Sequence, residues 1–237
     1  MTDYDIQKKY GRIAGILYLI IIVSGVFSEG IVRSSLVIDG NAKATVENIT
    51  NAELLFRMGF VSDIIMVLAD ISIALVFYLM LKQVNKPISL LAATFRLAQA
   101  IIIGVNLMNH FGVILVINST DLATAFNSEQ LSSTVMIMME AHSYGYLLSG
   151  VFFGFSCMVL SYLIRRSEYL PSFFGVLIGV AGFFYIMDSF TQFIAPEYSE
   201  ITEFLVIISA VVSEISFAVW LTVKGAVSPE TKKATDY

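Results

Sequence analysis

Cysteine occurs once in 237 residues, as Cys157 inside an apolar run. That excludes a disulfide within the chain and any cysteine-based metal cluster. Histidine occurs only twice, as His110 and His142, so no histidine-rich metal site can be built. Charge is scarce too: 14% of the residues are Asp, Glu, Lys or Arg, against about a quarter in an ordinary soluble domain. The basic residues are scattered rather than clustered, which argues against nucleic acid as a partner. What remains is apolar, with 57% hydrophobic residues and a mean hydropathy of +0.80. This is the composition of a chain that lives in a lipid bilayer.

Six apolar runs, at residues 13–32, 54–81, 88–117, 134–164, 171–193 and 202–223, are each long enough to cross about 30 Å of hydrocarbon. They predict an all-α integral membrane bundle of six transmembrane helices, forming a single membrane domain over residues 1–237. Local signals fix the ends. Asn51 is placed to cap the second helix, Pro87 suits the first turn of the third, and Asn127 with Gln130 has the spacing of a capping box. The stretch from Ser28 to Glu53 is polar and reads as a loop. Lys8 and Lys9 followed by an apolar run also describe a signal peptide, but a retained first helix suits the later spans.

Lys8, Lys9, Arg12, Lys82, Lys86, Arg165, Arg166, Lys224, Lys232 and Lys233 fall at the chain ends and alternate turns, whereas the opposite loops hold only Arg33, Lys43 and Arg57. The positive-inside bias therefore predicts that both termini are cytoplasmic.

Polar residues interrupt the apolar runs in a regular way. Asp63 and Asp70 are seven apart on the second run, and Arg96, Gln99, Asn106 and His110 recur at helical steps on the third. Each set predicts one stripe on one helical face. Reflecting the helices about their turns puts Asp63 and Asn106 level with Tyr146 and Asp188. The same operation puts His110 level with His142 and close to Gln192, and Asp70 and Gln99 level with Glu214, with Arg96 as the partner of Asp70. His142, Tyr146 and Ser149 share one side of the fourth helix, while Glu140 and Tyr144 lie on nearly the opposite side. The inward candidates are therefore Asp63, Asn106, His142, Tyr146, Asp188, Asp70, Gln99 and Glu214.

The runs RIAGILYLIIIVSGVF, LFRMGFVSDII, HSYGYLLSGVFFG and YLPSFFGVLIGVAGFFYIMD together resemble a multi-pass membrane family catalogued as domain of unknown function 4386. The resemblance covers about Arg12 to Gly225 and implies a bacterial inner-membrane protein of six or so helices. It implies no activity and no cofactor. Arg57, Asp63, His142, Tyr144, Gly145 and Asp188 stand in its recurring motifs.

Three functional readings follow from the residues. Glu29, Asp63, Asp70, Glu140, Asp188 and Glu214 outnumber the arginines at membrane depth, Arg57 and Arg96. Unpaired acids there protonate, bind a cation or line water, which suits a site that binds or translocates an ion or small solute. An intramembrane metal hydrolase would use His110, His142, Asp63 and Asp188, but no His-Glu-x-x-His and no Gly-x-Ser-x-Gly occurs, so an enzyme is the weaker reading. A non-catalytic membrane partner or regulator would dock through the glycine pairs Gly150/Gly154 and Gly175/Gly179. Against all three stands a packing role, in which the polar residues form interhelical hydrogen bonds worth about 0.6 kcal/mol each. The bilayer is the one partner the composition requires; oligomeric state is not encoded in these patterns.

Overall fold

A computed structural model describes residues 2–228, 230 and 232; Lys233, counted above among the basic residues, lies outside them. The described residues form helices and no strands. Six of the helices have the length and apolarity to cross a membrane: α1 (Asp3–Leu36), α3 (Glu53–Leu81), α4 (Lys86–Ile117), α6 (Ser128–Arg166), α7 (Ser172–Ile194) and α8 (Pro196–Val223). Two shorter helices, α2 (Ala42–Asn51) and α5 (Thr120–Ala125), lie in the connections. This is an integral membrane bundle.

The periodicity of α3 explains why it sits as it does. Leu54, Val61, Leu68 and Leu75 recur every seven residues and are all more than half exposed, whereas Phe56, Asp63, Asp70 and Phe77 recur at the same interval and are all buried. The two series are offset by two residues, about 200° around a helix. One face is thus apolar and outward, as lipid requires, and the other carries the acids inward. In α4 the inward stripe is Arg96, Gln99, Ile103, Asn106 and His110, every one of them buried.

The stretch from Ser28 to Glu53 is not a loop. α1 runs on to Leu36 through a π-helical segment, Val26–Arg33, and α2 follows, capped by the Asn41 side chain, which accepts from the Ala44 N–H at 3.0 Å. Asn51 ends α2 instead of capping α3. The Asn127 capping box does form, with Asn127 N–H on Gln130 Oε1 at 3.0 Å and Gln130 N–H on Asn127 Oδ1 at 2.9 Å. It starts α6 at Ser128, a turn and a half before the apolar run begins.

Contacts divide the chain into two compact units, one of Met1–Ile20, Leu68–Ala100 and Leu147–Tyr237, the other of Ile21–Val67 and Ile101–Tyr146. In unit one, α1 and α8 touch backbone to backbone: a Cβ on Gly11 would overlap Gly225, and one on Gly15 would overlap Leu221 and Thr222. Gly225 has φ +77°, a conformation glycine adopts at little cost. Glycine also joins α6 to α7, where Gly154 meets Gly182 and Ile186 while Gly175 and Gly179 meet Ser161. Both glycine pairs are therefore used within the chain.

Unit two has its own core of Val32, Leu36, Ile49, Phe56, Val113, Ile114, Val116, Val135 and Met139.

Candidate functional site

Unit two gathers Ser28, Arg33, Asp63, Asn106, His110 and His142, all buried. Asp63 is the hub. Its Oδ1 accepts from Ser28 Oγ at 2.5 Å, and its Oδ2 accepts from Arg33 Nη1 at 2.6 Å. The same Nη1 lies 3.3 Å from His110 Nδ1. Arg33 Nη2 reaches Ser28 Oγ at 3.3 Å, and its Nε donates to Glu29 Oε2 at 2.7 Å. One guanidinium therefore spans a fully buried carboxylate and a Glu29 side chain that is 64% exposed.

Arg33 was missed by sequence reasoning, which counted it as a loop residue and recognised only Arg57 and Arg96 near membrane depth. Arg57 in fact pairs with Glu53 in the first turn of α3, both partly exposed. The inward arginine beside Asp63 is Arg33, and the π-helical turn puts it there. Residues five apart lie about 140° apart on an α-helix but share a face where hydrogen bonds run from i to i+5. Ser28 and Arg33 are spaced so.

The two histidines are held differently. His110 Nε2 lies 3.3 Å from the Phe56 carbonyl, which can only accept, so Nε2 carries the proton and Nδ1 presents a lone pair to Arg33. His142 Nδ1 lies 3.4 Å from the Asn106 carbonyl and 3.3 Å from Asn106 Nδ2. Asn106 Nδ2 also donates to the His142 carbonyl at 2.7 Å, while Asn109 holds its Oδ1 at 2.9 Å. His142 Nε2 is buried with no hydrogen-bond partner among the described residues. A Cβ on Gly145 would overlap the Asn106 side chain, so glycine there is what lets Asn106 reach His142.

Donor atoms of Asp63, His110 and His142 all lie within 4.8 Å of one another. The imidazole rings are 5.5 Å apart edge to face. Aromatic rings surround them: Phe56 at 4.2 Å and Phe60 at 5.8 Å from the His110 ring, and Tyr146 at 6.0 Å from both the His142 ring and the Arg33 guanidinium carbon. Face arithmetic along α6 holds, with His142 buried and Glu140 exposed.

The remaining candidates belong to unit one. Asp70 Oδ1 accepts from Arg96 Nη2 at 2.6 Å and Nε at 3.0 Å, and its Oδ2 accepts from Gln99 Nε2 at 3.2 Å. The Arg96 guanidinium lies against the Phe153 and Tyr18 rings at 4.9 and 5.3 Å. Glu214, in the π-helical segment Val211–Ile215, accepts from Tyr18 at 3.0 Å and Tyr185 at 2.9 Å, one hydroxyl on each oxygen. Asp188 accepts from Thr202 at 2.6 Å and from Gln192 at 3.1 and 3.0 Å. The sequence grouped Asp188 with His110, His142 and Asp63 as metal ligands; the donor group itself comprises the last three alone. Asp188 has its own hydroxyl and amide partners instead.

Six apolar helices with ionisable side chains turned inward define a multi-pass membrane protein built around buried polar clusters. The family model for domain of unknown function (DUF4386) matches residues 13–225, and the chain belongs to that family. An uncharacterized protein of Archaeoglobus fulgidus is 28% identical over 163 residues, covering 68% of this chain and 80% of that protein. No solved structure matches the chain.

Proposed function

We propose that this is a small-cation-binding membrane protein whose site is Asp63, His110 and His142, and that the site is a station on a translocation path. One observation carries the reading: Arg33 Nη1, itself part of a cation, stands 2.6 Å from Asp63 Oδ2 and 3.3 Å from His110 Nδ1. The two acceptors that hold it suit a positively charged N–H donor. Charge count supports an exchange. Glu29, Asp63 and Arg33 together carry one net negative charge, which a single incoming positive charge balances. When a cation takes Asp63, Arg33 keeps Glu29 as a partner. The scattered basic residues of the turns support an orientation with both termini in the cytoplasm, and the family resemblance suggests a bacterial inner membrane.

A metal-dependent hydrolase is a second reading, favoured by the two imidazoles and one carboxylate and by Ser28 Oγ at 2.5 Å from Asp63. Arg33 weighs against it. Two like unit charges 4 Å apart repel by roughly 4 kcal/mol at an effective dielectric near 20, and a resident divalent ion would have that repulsion doubled.

Thermal unfolding of the detergent-solubilised protein in a panel of chloride salts at constant ionic strength tests the reading. A bound cation raises the midpoint, since about 100-fold excess over Kd stabilises by roughly 2.7 kcal/mol, and Asp63→Asn abolishes the rise. If no salt shifts the midpoint, the Arg33–Asp63 pair is a packing element and the proposal fails.

A further inference from the structure

Taking the Asp63 site as a cation site, we infer that its occupant is a small monocation bearing N–H donors, an ammonium, primary amine or guanidinium, rather than a metal ion. Two ligand spacings bear on the choice. Tetrahedral ligands of a metal at about 2.0–2.1 Å stand roughly 3.3–3.5 Å from one another. Acceptors around an ammonium nitrogen, at about 2.8–2.9 Å, stand roughly 4.6–4.7 Å apart. Asp63 Oδ2 and His110 Nδ1 are 3.9 Å apart, and the three donors spread to at most 4.8 Å. The 3.9 Å separation falls between the two values, and what decides is the donor that already stands there: Arg33 Nη1 reaches both acceptors through N–H groups.

The hydrogen-bond polarity agrees. Asp63 Oδ2 accepts, and His110 Nδ1 presents a lone pair because Nε2 faces the Phe56 carbonyl. His142 Nε2 is buried and unpartnered among the described residues. His142 Nδ1 has the Asn106 Nδ2 donor at 3.3 Å as well as the Asn106 carbonyl at 3.4 Å, and in the tautomer that protonates Nδ1 its Nε2 offers a second lone pair. Two acceptors, joined in that tautomer by a third, match the N–H groups of a primary ammonium. The N–H of Arg33 already makes two of these contacts. Tyr146, whose ring lies 6.0 Å from the Arg33 guanidinium carbon, supplies an aromatic face that stabilises an organic cation once water is excluded. A single positive charge also completes the charge count of Glu29, Asp63 and Arg33, which a divalent ion would overshoot.

The test uses the full chain in detergent, titrated with methylammonium, guanidinium and tetramethylammonium chlorides at millimolar concentration and, separately, with cobalt(II) chloride. Binding is read by calorimetry and the unfolding midpoint, and cobalt also by its visible absorption. Methylammonium and guanidinium bind the wild-type protein, tetramethylammonium, which has no N–H, does not, and Asp63→Asn loses both. Arg33→Gln, with the resident cation removed, binds methylammonium about tenfold or more tightly than wild type, because a like charge next to the site is gone. Should that variant not fold, the wild-type contrast between methylammonium and tetramethylammonium still decides. Equal binding of tetramethylammonium overturns the requirement for N–H donors. Cobalt bound with ligand-field bands, and no amine bound, overturns the inference and leaves a metal site at these residues. Binding of neither overturns the inference and the cation site together.

Discussion

Arg33 Nη1 lies 2.6 Å from Asp63 Oδ2, with the two side chains 4% and 0% exposed. Removing one member of a buried ion pair leaves the other charge uncompensated and costs about 3–5 kcal/mol. Arg33→Gln and Asp63→Asn each lower stability by that order. Arg33→Gln/Asp63→Asn together lose less than the sum, with a coupling of about 1 kcal/mol or more. Denaturant or thermal unfolding of the four proteins measures it, and strictly additive losses would mean that the two side chains do not act as a pair.

Gly145→Ala places a methyl group on the Asn106 amide. Overpacking of this kind costs about 1–3 kcal/mol. It also pushes Asn106 away from His142, so the variant loses cation affinity by a larger factor than an alanine at lipid-exposed Leu148. Paired titrations of Gly145→Ala and Leu148→Ala check this; matching affinities would separate Gly145 from the site.

Glu214 holds one tyrosine hydroxyl on each oxygen. Tyr185→Phe or Tyr18→Phe deletes one donor and leaves a buried carboxyl oxygen without it, at a cost of about 1–3 kcal/mol. Tyr185→Phe in a Glu214→Leu background costs much less, because the oxygen that needed the hydroxyl is gone. Equal losses in both backgrounds, by unfolding, would place the role of Tyr185 in its ring packing against Phe153.

Gly225→Ala suffers twice, from its positive φ and from the Lys8 carbonyl that a Cβ would strike. It is expected to lower stability by at least about 1 kcal/mol, and an unchanged unfolding midpoint would show that α1 and α8 are not locked there.

How much of this was legible in the sequence depends on whether the backbone is ordinary α-helix. Asp63 and Asp70 on α3, and Arg96 through His110 on α4, keep regular three- and four-residue steps, so their inward stripes and the Arg96–Asp70 pair could be read directly. The opposed placement of Glu140 and His142 followed from the same arithmetic. Arg33 was illegible because a π-helical turn has no strong sequence signature and changes which residues share a face. A surplus of buried acid over arginine was the available hint, since Asp63 needed a partner that α-helical spacing did not supply. Other partners were less legible: Glu214 found tyrosines, and Asp188 found Thr202 and Gln192.

The most direct measurement follows Arg33 itself. In protein carrying isotope-labelled arginine, the guanidinium nitrogen resonances of Arg33, assigned by their loss in Arg33→Gln, report whether Nη1 is still bonded to Asp63. Adding methylammonium chloride should shift or exchange-broaden those resonances saturably while leaving those of Arg96 in place, because Arg33 yields Asp63 to the incoming cation. Arg33 resonances that stay unchanged by methylammonium, ammonium and metal salts alike would contradict the exchange and leave Arg33 and Asp63 as a fixed ion pair of the bundle.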